Sequence, residues 1–213
     1  MHTHGLHVTS SAPGDSIFIK VKPGETFKYE YKIPEFHMGG THWYHPHHHG
    51  STALQAGGGA AGMIIVEDAP DEVPPEIAEL DEILLLLAHV DTNTIAGIET
   101  RSGGELHQIA GRALDAIIVN GQFEPVARLR TNRWYRFRTV YAAVESSLEL
   151  ELAGCELQLL AKDGVYLHEA PRPVSTIYVY PGARADYALR CPTSGSFELV
   201  SGGGLRRRRL QQG

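Results

Sequence analysis

The sequence THWYHPHHHG, at residues 41–50, places five histidines within eight positions. A second element, HTHG at residues 2–5, lies roughly forty residues upstream and carries another His-x-His pair. Side chains two positions apart on an extended strand point to the same face and lie about 6.6 to 6.8 Å apart. If the intervening chain folds back as a hairpin, both pairs face one cavity. The pattern therefore predicts a metal site with imidazole ligands on a β scaffold.

The predicted ligands are His2, His4, His45 and His47. Pro46 removes an amide donor between the second pair and stiffens the backbone. A ring spacing of about 6 to 7 Å suits two neighbouring ions better than one tightly chelated ion. Imidazole suits zinc, copper, iron and nickel, so the ligand type alone leaves the metal open. A zinc hydrolase is the weaker interpretation, because the sequence has no His-Glu-x-x-His motif.

The other histidines are expected to have different roles. His48 and His49 are intermediate cases: we expect one to lie near the ligands or a substrate and the other to face solvent. A hydrogen-bonded or surface imidazole is the expected state of His37, His42, His89, His107 and His168.

The composition is that of an ordinary folded chain. Its 213 residues are 42% apolar and 21% charged, close to the globular average and sufficient for a real core. The net charge of -6 argues against general nucleic-acid binding, and the basic run Arg206–Arg209 is interpreted as part of a solvated tail. The longest apolar run, Ile83–Ala88, is far shorter than the roughly 18 to 20 residues that span a bilayer, so no membrane span is predicted.

Period-two alternation of apolar residues dominates the chain and predicts an all-β fold. The alternating stretches are 17–21, 27–33, 135–139, 148–152 and 177–179. Turn signals such as Asn120-Gly121 punctuate them, which indicates a sandwich or barrel of short strands. The segment 77–89 is ambiguous between helix and strand, and we favour a doubly buried strand from about Glu82.

The domain organisation is predicted from a change in composition. Residues 69–76 are rich in proline and acidic residues, which favours an extended, solvated linker. Residues 22–29 and 180–187 each place a Pro-Gly turn before an alternating strand. Two related sandwich domains would explain this echo, and the alternative is that Pro-Gly is simply common before strands. We predict a partial first domain carrying the histidines at 1–68, a linker at 69–79, a second domain at 80–202 and a tail at 203–213.

Several motifs resemble the laccase-like multicopper oxidases. The first domain of that family is similar to HTHGLH at 2–7, HWYHPHHHG at 42–50 and GGGAAGMIIVED at 57–68. Its second domain is similar to VNGQ at 119–122, WYRFR at 134–138, AKDG at 161–164 and PGARAD at 181–186. The resemblance covers nearly the whole chain. It implies two cupredoxin-like Greek-key β-sandwich domains, the first incomplete at its N-terminus.

The resemblance also implies a cofactor and an activity. In that family the two histidine elements bind a trinuclear copper cluster. By this resemblance His2 binds the type 2 copper, while His4, His45 and His47 bind type 3 coppers. The implied enzyme is an oxidoreductase that couples oxidation of a phenolic, amine or metal-ion donor to reduction of dioxygen to water.

The chain departs from the family pattern in one respect. The family completes its cluster with further histidines and takes electrons from a type 1 copper in a His-Cys-His segment, whereas neither Cys155 nor Cys191 adjoins a histidine. The resemblance therefore implies half of the trinuclear site and no type 1 site here. We interpret the chain as a fragment, inactive alone, that lacks a C-terminal cupredoxin domain or a partner subunit. The alternative is a copper-binding module without turnover, for storage or delivery.

The cysteines and the cellular location are less constrained. Cys155 and Cys191 could form one disulfide, although Cys155 lies in an alternating strand and is expected to pack as a small apolar residue. The family is commonly periplasmic or extracellular, but no basic-then-apolar leader follows Met1. The compartment therefore stays open.

Overall fold

The computed structural model describes residues 1–91, 115–201 and 209–211 of the chain. Within these ranges the predicted all-β fold is confirmed, with three sheets and two short helices. No helix in them is both long and apolar enough to cross a membrane.

The first sheet carries the histidine motifs. It consists of β1 (His2–His4), β2 (Gly40–His45) and β3 (Gly62–Val66), paired antiparallel in the order β1-β2-β3. The helix α1 (Thr52–Gly57) lies between β2 and β3 along the chain. The first sheet therefore brings the N-terminal His-x-His pair beside the second motif.

The other strands form two sheets that share a hydrophobic core. A helix, α2 (Pro75–Ala78), precedes them. In chain order they are β4 (Asp81–Asp91), β5 (Asp115–Val119), β6 (Gln122–Phe123), β7 (Tyr135–Ala142), β8 (Leu148–Leu152), β9 (Glu156–Lys162), β10 (Val165–Tyr166), β11 (Arg172–Val174), β12 (Ile177–Val179), β13 (Arg184–Arg190), β14 (Glu198–Ser201) and β15 (Arg209–Gln211). The larger sheet has the order β10-β9-β13-β7-β4-β5-β6, with β11 also paired to β9, and the smaller has the order β12-β8-β14-β15.

Strand β7 connects the core of the second domain to the first sheet. Every residue from Tyr135 to Ala142 is buried. Phe137 and Tyr141 belong to the core between the two larger sheets, whereas Val140 packs with Trp43 of the first sheet. Because successive side chains on a strand point to opposite faces, β7 builds both interfaces at once.

Several predicted strands and turns are confirmed. The stretches 135–139, 148–152 and 177–179 lie in β7, β8 and β12. Asn120-Gly121 forms the two-residue connection between β5 and β6. The segment 77–89 contains most of β4, as favoured, but full burial on both faces is wrong for the first half of that strand. Leu84 is 41% exposed, because β5 pairs only with the second half of β4, from Leu87 onward.

Two other predicted strands are wrong. The stretches 17–21 and 27–33 lie in a segment without strands, from residue 5 to residue 39. Their alternation is real, but no strand in the described part of the chain runs beside them to accept their backbone hydrogen bonds. Ile17 and Val21, on the apolar face of the first stretch, accordingly remain 45% and 44% exposed.

The predicted linker is not uniformly extended and solvated. Helix α2 lies within residues 69–79, with proline in its first turn, a position where the missing amide donor costs nothing. Val73 and Ile77 are buried against Leu160, since their apolar side chains gain by leaving water. Strand β15, in the predicted tail, pairs with β14. The domain boundaries themselves stay a prediction.

A disulfide joins Cys155 to Cys191, 36 positions apart in the sequence. Closing a loop of this length in the unfolded chain stabilises the fold by about 4 kcal/mol on the chain-entropy account. Cys155 packs against the hydrophobic core, as expected, and both cysteines of the chain belong to this disulfide.

A buried ion network fastens the first sheet to the second domain. Arg136 and Arg138 project from β7 and are 1% and 2% exposed. Arg136 Nη1 donates to Asp68 Oδ2 at 2.6 Å, and its Nη2 donates to Asp186 Oδ2 at 3.0 Å. Arg138 Nε donates to Glu82 Oε1 at 2.7 Å. Each buried guanidinium thus has carboxylate partners, without which its desolvation would cost several kcal/mol.

Replacing the carboxylate that follows β3 tests this network. Asp68→Asn should lower the free energy of unfolding by about 3 to 5 kcal/mol, because it leaves Arg136 buried without its closest counter-charge. Burial raises the pKa of Asp68, but hydrogen bonds from Tyr166 and Arg136 outweigh it and the net pKa is lowered. The stabilisation is therefore present above the unfolded-state pKa of about 3.9 and is lost as the pH falls through the folded value. Urea unfolding across pH measures both effects.

The matched control is Asp81→Asn. Asp81 pairs with Arg133 at 2.6 Å, but the two side chains are 54% and 42% exposed. An exposed pair contributes at most about 1 kcal/mol. Equal losses of unfolding free energy in Asp68→Asn and Asp81→Asn would contradict a special role for the buried network.

Candidate metal centre

The pairing of β1 with β2 brings three of the four predicted ligands to one face of the first sheet. His2 lies opposite His45, and His4 lies opposite Trp43. Residues directly opposite in an antiparallel pair share a face, and residues two apart on one strand do as well. His47, two residues beyond the end of β2, turns back so that its ring contacts those of His2 and His45.

The four imidazoles form a compact group. The ring centres of His2 and His45 are 5.3 Å apart, those of His2 and His47 are 5.4 Å apart, and those of His45 and His47 are 5.7 Å apart. His4 lies 5.6 Å from His2 and 5.8 Å from His45. One ring nitrogen from each of His2, His4 and His45 lies within 4.8 Å of the others. The structure therefore places all four predicted ligands around one space.

That space is a cavity of about 350 Å³ bounded by both domains. Ala53 and Ala56 of α1 form one wall, and the Pro181-Gly182 turn of the second domain forms another. The alanines leave room that larger side chains would fill. The imidazoles therefore face a space large enough for metal ions and a small molecule.

Trp43 forms the inner wall of the cavity. Its indole stacks on His45 at 4.3 Å and on His4 at 5.0 Å between ring centres. The indole N–H donates to the carbonyl oxygen of Gly182 at 3.2 Å. Trp43 is 3% exposed, so this bond is shielded from water and ties the ring positions to the second domain.

Asp15 is a functional candidate that the sequence analysis missed. Its Oδ2 accepts from His2 Nδ1 at 2.8 Å, and its Oδ1 accepts from the Thr3 amide at 2.9 Å. A carboxylate on one ring nitrogen fixes the tautomer and leaves the other nitrogen free to bind a metal. The signal in the sequence is the Pro13-Gly14-Asp15 turn, which places a carboxylate shortly after the first histidine pair.

Burial favours the neutral form of two of the ligand rings, His4 and His45. Burial, together with the nearby charges of Arg184 and His2, lowers the pKa of His4 to about 4. Burial also lowers the pKa of His45, although a hydrogen bond to the Pro46 carbonyl acts in the opposite direction. A neutral imidazole retains the lone pair that metal binding requires.

The donor set fits copper. His2 and His45 use Nδ1 in hydrogen bonds to Asp15 and to the Pro46 carbonyl, so each presents Nε2 to the cavity side of the ring. His4 Nδ1 is buried and has no hydrogen-bond partner among the described residues. An unpartnered buried nitrogen costs free energy unless a ligand occupies it. Clustered imidazoles suit copper, although zinc, iron and nickel accept the same ligands.

The remaining histidines lie elsewhere. His48, His49 and His168 are exposed, so neither His48 nor His49 is placed among the four clustered rings. His89 is buried on β4. His37 contacts His42 on the other side of β2. His107 lies outside the described residues.

Two sequence models described as multicopper oxidase match the chain, at residues 1–71 and 89–211. The chain belongs to the multicopper oxidase family. This multicopper oxidase chain is 24% identical over 208 residues to Laccase-1 of Pleurotus ostreatus, a match that covers 89% of this chain and 35% of that protein.

Solved structures agree with this membership. The multicopper oxidase of Pseudomonas thermotolerans is 28% identical and superposes with a TM-score of 0.72, covering 99% of this chain and 49% of that one. McoA of the hyperthermophile Aquifex aeolicus, in its 2F4 variant, is 22% identical with a TM-score of 0.68 and the same coverage. The predicted cupredoxin fold of the multicopper oxidases is thereby confirmed. The chain spans half or less of the length of these relatives.

The contact between Asp15 and His2 can be tested by copper binding. Asp15→Ala should weaken copper binding about 10- to 100-fold, the usual loss when an outer partner of a metal-binding histidine is removed. Competition with a chromophoric chelator measures the affinity. Asp71→Asn is the control, since Asp71 is exposed, and it should leave the affinity unchanged. An unchanged affinity in Asp15→Ala would show that this carboxylate does not orient the ligand.

The Pro181-Gly182 turn offers a second test. A Cβ at Gly182 would lie 3.0 Å from His4 Cε1, so Gly182→Ala should displace that ring and weaken copper binding about 10-fold or more. Gly121→Ala is the matched control, because both glycines have positive φ but a Cβ at Gly121 meets nothing within 4 Å. Both variants should lose about 1 kcal/mol or more of stability from backbone strain. Only Gly182→Ala should lose copper affinity.

Proposed function

We propose that this chain is the part of a copper-dependent oxidase that supplies half of a trinuclear copper cluster. In this proposal His2 binds the type 2 copper, and His4, His45 and His47 bind the type 3 coppers. The observation that carries the proposal is the convergence of four imidazoles on one cavity, with ring nitrogens of three of them within 4.8 Å of one another. Membership of the multicopper oxidase family supplies the chemistry.

The proposed reaction is oxidation of a phenolic, amine or metal-ion donor, coupled to reduction of dioxygen to water. Bound copper would supply the one-electron redox chemistry. Asp15 holds the proton of His2 at Nδ1 and orients the ring. Trp43 fixes the planes of His4 and His45 by stacking, and its bond to Gly182 prevents these rings from shifting away from the second domain.

We further propose that the remaining cluster ligands and the type 1 copper lie on a C-terminal cupredoxin domain or a partner subunit. The disulfide between Cys155 and Cys191 supports this, because a disulfide sulfur is not a thiolate ligand. In the same proposal residues 1–68 and 80–202 form the two cupredoxin domains, 69–79 joins them and 203–213 is a tail.

The same disulfide favours a second candidate function, a copper-binding module without turnover. Such a module needs the imidazoles but no electron entry site. It predicts copper binding by the 213-residue chain, and no donor-dependent oxygen uptake by any longer gene product that contains it.

Oxygen uptake distinguishes the two functions. The oxidase proposal predicts that the 213-residue chain binds copper without consuming oxygen, and that the complete gene product consumes oxygen with a phenolic or metal-ion donor. His45→Gln or His47→Gln should lower the oxygen-uptake rate of the complete product at least about 100-fold. That exceeds the loss typical of changing a residue that only hydrogen-bonds a metal ligand. Oxygen-electrode rates and copper content per chain are the measurements.

The matched control is His48→Gln, which changes an exposed imidazole adjacent to the second pair. We expect it to keep at least about half of the rate, since surface changes away from special features have small effects. Full activity of copper-free protein would contradict the oxidase proposal. A copper-replete but inactive complete product would favour the binding module.

A further inference from the structure

Residues 27–33, with the sequence FKYEYKI, are extended but pair with no strand in the described part of the chain. The ring centres of Phe27 and Tyr29 are 4.8 Å apart, and those of Tyr29 and Tyr31 are 6.0 Å apart. Contacts between side chains two positions apart are typical of extended backbone, in which such residues share a face. These residues, called here the unpaired segment, therefore already have the alternation of a strand.

One edge of the unpaired segment has no hydrogen-bond partner. Its single backbone hydrogen bond to another described residue runs from the Glu30 amide to the Pro13 carbonyl, at 3.0 Å. In an extended chain the backbone groups of successive residues point to alternate edges. The even-numbered residues therefore face the edge beside Pro13, and Phe27, Tyr29 and Tyr31 present their amides and carbonyls at the free edge. A free edge is a template for another strand.

The side chains of the unpaired segment are accessible to a partner. Phe27 is 37% exposed and Ile33 is 46% exposed on the apolar face. The polar face carries the exposed residues Lys28, Glu30 and Lys32. Lys32 Nζ lies 3.8 Å from Glu30 Oε1, as expected for neighbours on one face. A partner strand would bury apolar surface on one face and meet alternating charges on the other.

The charges of the unpaired segment complement those of a second copy of this chain. In an antiparallel pairing with Tyr29 opposite Tyr29 of the second copy, each Lys28 lies opposite a Glu30. The same register places each Phe27 opposite a Tyr31 on the apolar face. Opposite charges and aromatic pairs on facing residues stabilise a strand pair, whereas like charges destabilise it. The segment is therefore self-complementary in this register.

Other registers satisfy these side chains less well. Centring the pairing on Glu30 places Glu30 opposite Glu30 and Lys28 opposite Lys32, so that like charges face each other. Centring it on Tyr31 matches Glu30 with Lys32 but leaves Phe27 opposite the charged Glu35. A slip by one residue places polar side chains opposite apolar ones throughout.

We propose that two copies of this chain associate by antiparallel pairing of residues 27–33, with Tyr29 opposite Tyr29. The interface is isologous, because each copy contributes the same strand. The assembly closes at two copies, since the other edge of the segment already faces Pro13 of its own chain. The occupant of the free edge is thus a second copy, selected by charge.

Sedimentation equilibrium of the full 213-residue chain tests this pairing. The unchanged chain should form a dimer whose fraction rises with concentration. Lys28→Glu and Glu30→Lys should each weaken the dimer at least about 10-fold, because each change turns two attractive cross-strand pairs into repulsive ones. Combining both changes in one chain should restore the dimer. An equimolar mixture of the two single variants should restore it as well, because Glu at one position then faces Lys at the other.

Two further lysines provide the controls. Lys20→Glu makes the same change in net charge at an exposed position outside the unpaired segment, and it should leave the dimer unchanged. Lys32→Glu should weaken the dimer far less than Lys28→Glu, because Lys32 lies opposite the neutral Thr26 in the proposed register. The reverse order of these two losses would overturn that register.

Hydrogen exchange reports on the backbone independently of charge. The amides of Phe27, Tyr29 and Tyr31 should exchange more slowly as the chain concentration rises, whereas those of Lys28 and Lys32 should not. An unchanged chain that stays monomeric at every soluble concentration would overturn the proposal and leave this edge to a strand of another molecule. A mixture of the two single variants that stays monomeric would also overturn it.

Discussion

The buried ion network on β7 is the constraint on which the candidate copper site depends. Alternation along β7 sends Arg136 and Arg138 toward the first sheet while the intervening side chains fill the core of the second domain. A buried guanidinium is tolerable only with well-placed counter-charges. Asp68 supplies one from the end of the first domain, and Asp186 supplies another from β13. Thr41 of β2 donates to Asp186 at 2.6 Å, so the strand that carries the histidines is registered against the same network.

The contact between the first sheet and the second domain explains why the cavity needs both. The first sheet supplies the imidazoles, but two of its rings are held in plane by Trp43, whose N–H bond ends on Gly182 of the second domain. Trp43 in turn packs against Val140 and Ala142, on the same face of β7 as the arginines. Ion pairs and apolar packing therefore both join the first sheet to the larger sheets. The second domain therefore acts as a structural support for ligands that it does not itself provide.

The histidine site was the part of the structure most readable from sequence, for a geometric reason. Alternation places both histidines of a His-x-His pair on one face of a strand. When two such strands pair, as β1 and β2 do, the two pairs can lie on the same face of the sheet. Interactions between distant residues were less accessible. The carboxylate of Asp15 reaches His2 only because a loop folds over β1, and Cys155 bonds Cys191 across 36 positions. Neither contact is marked by a periodic pattern in the sequence.

The failed strands at 17–21 and 27–33 follow from a different limit of sequence reasoning. Alternation reports that a segment has one apolar face, but a strand also requires a neighbour to accept its backbone hydrogen bonds. No described strand runs beside this segment, so its apolar side chains stay exposed despite the correct pattern. The same dependence on neighbours acts on the two faces of β2. His45 meets other imidazoles around a cavity, whereas His42, on the opposite face, is buried without a hydrogen-bond partner among the described residues. Alternation assigns a side chain to a face, and only the tertiary structure determines what it meets there.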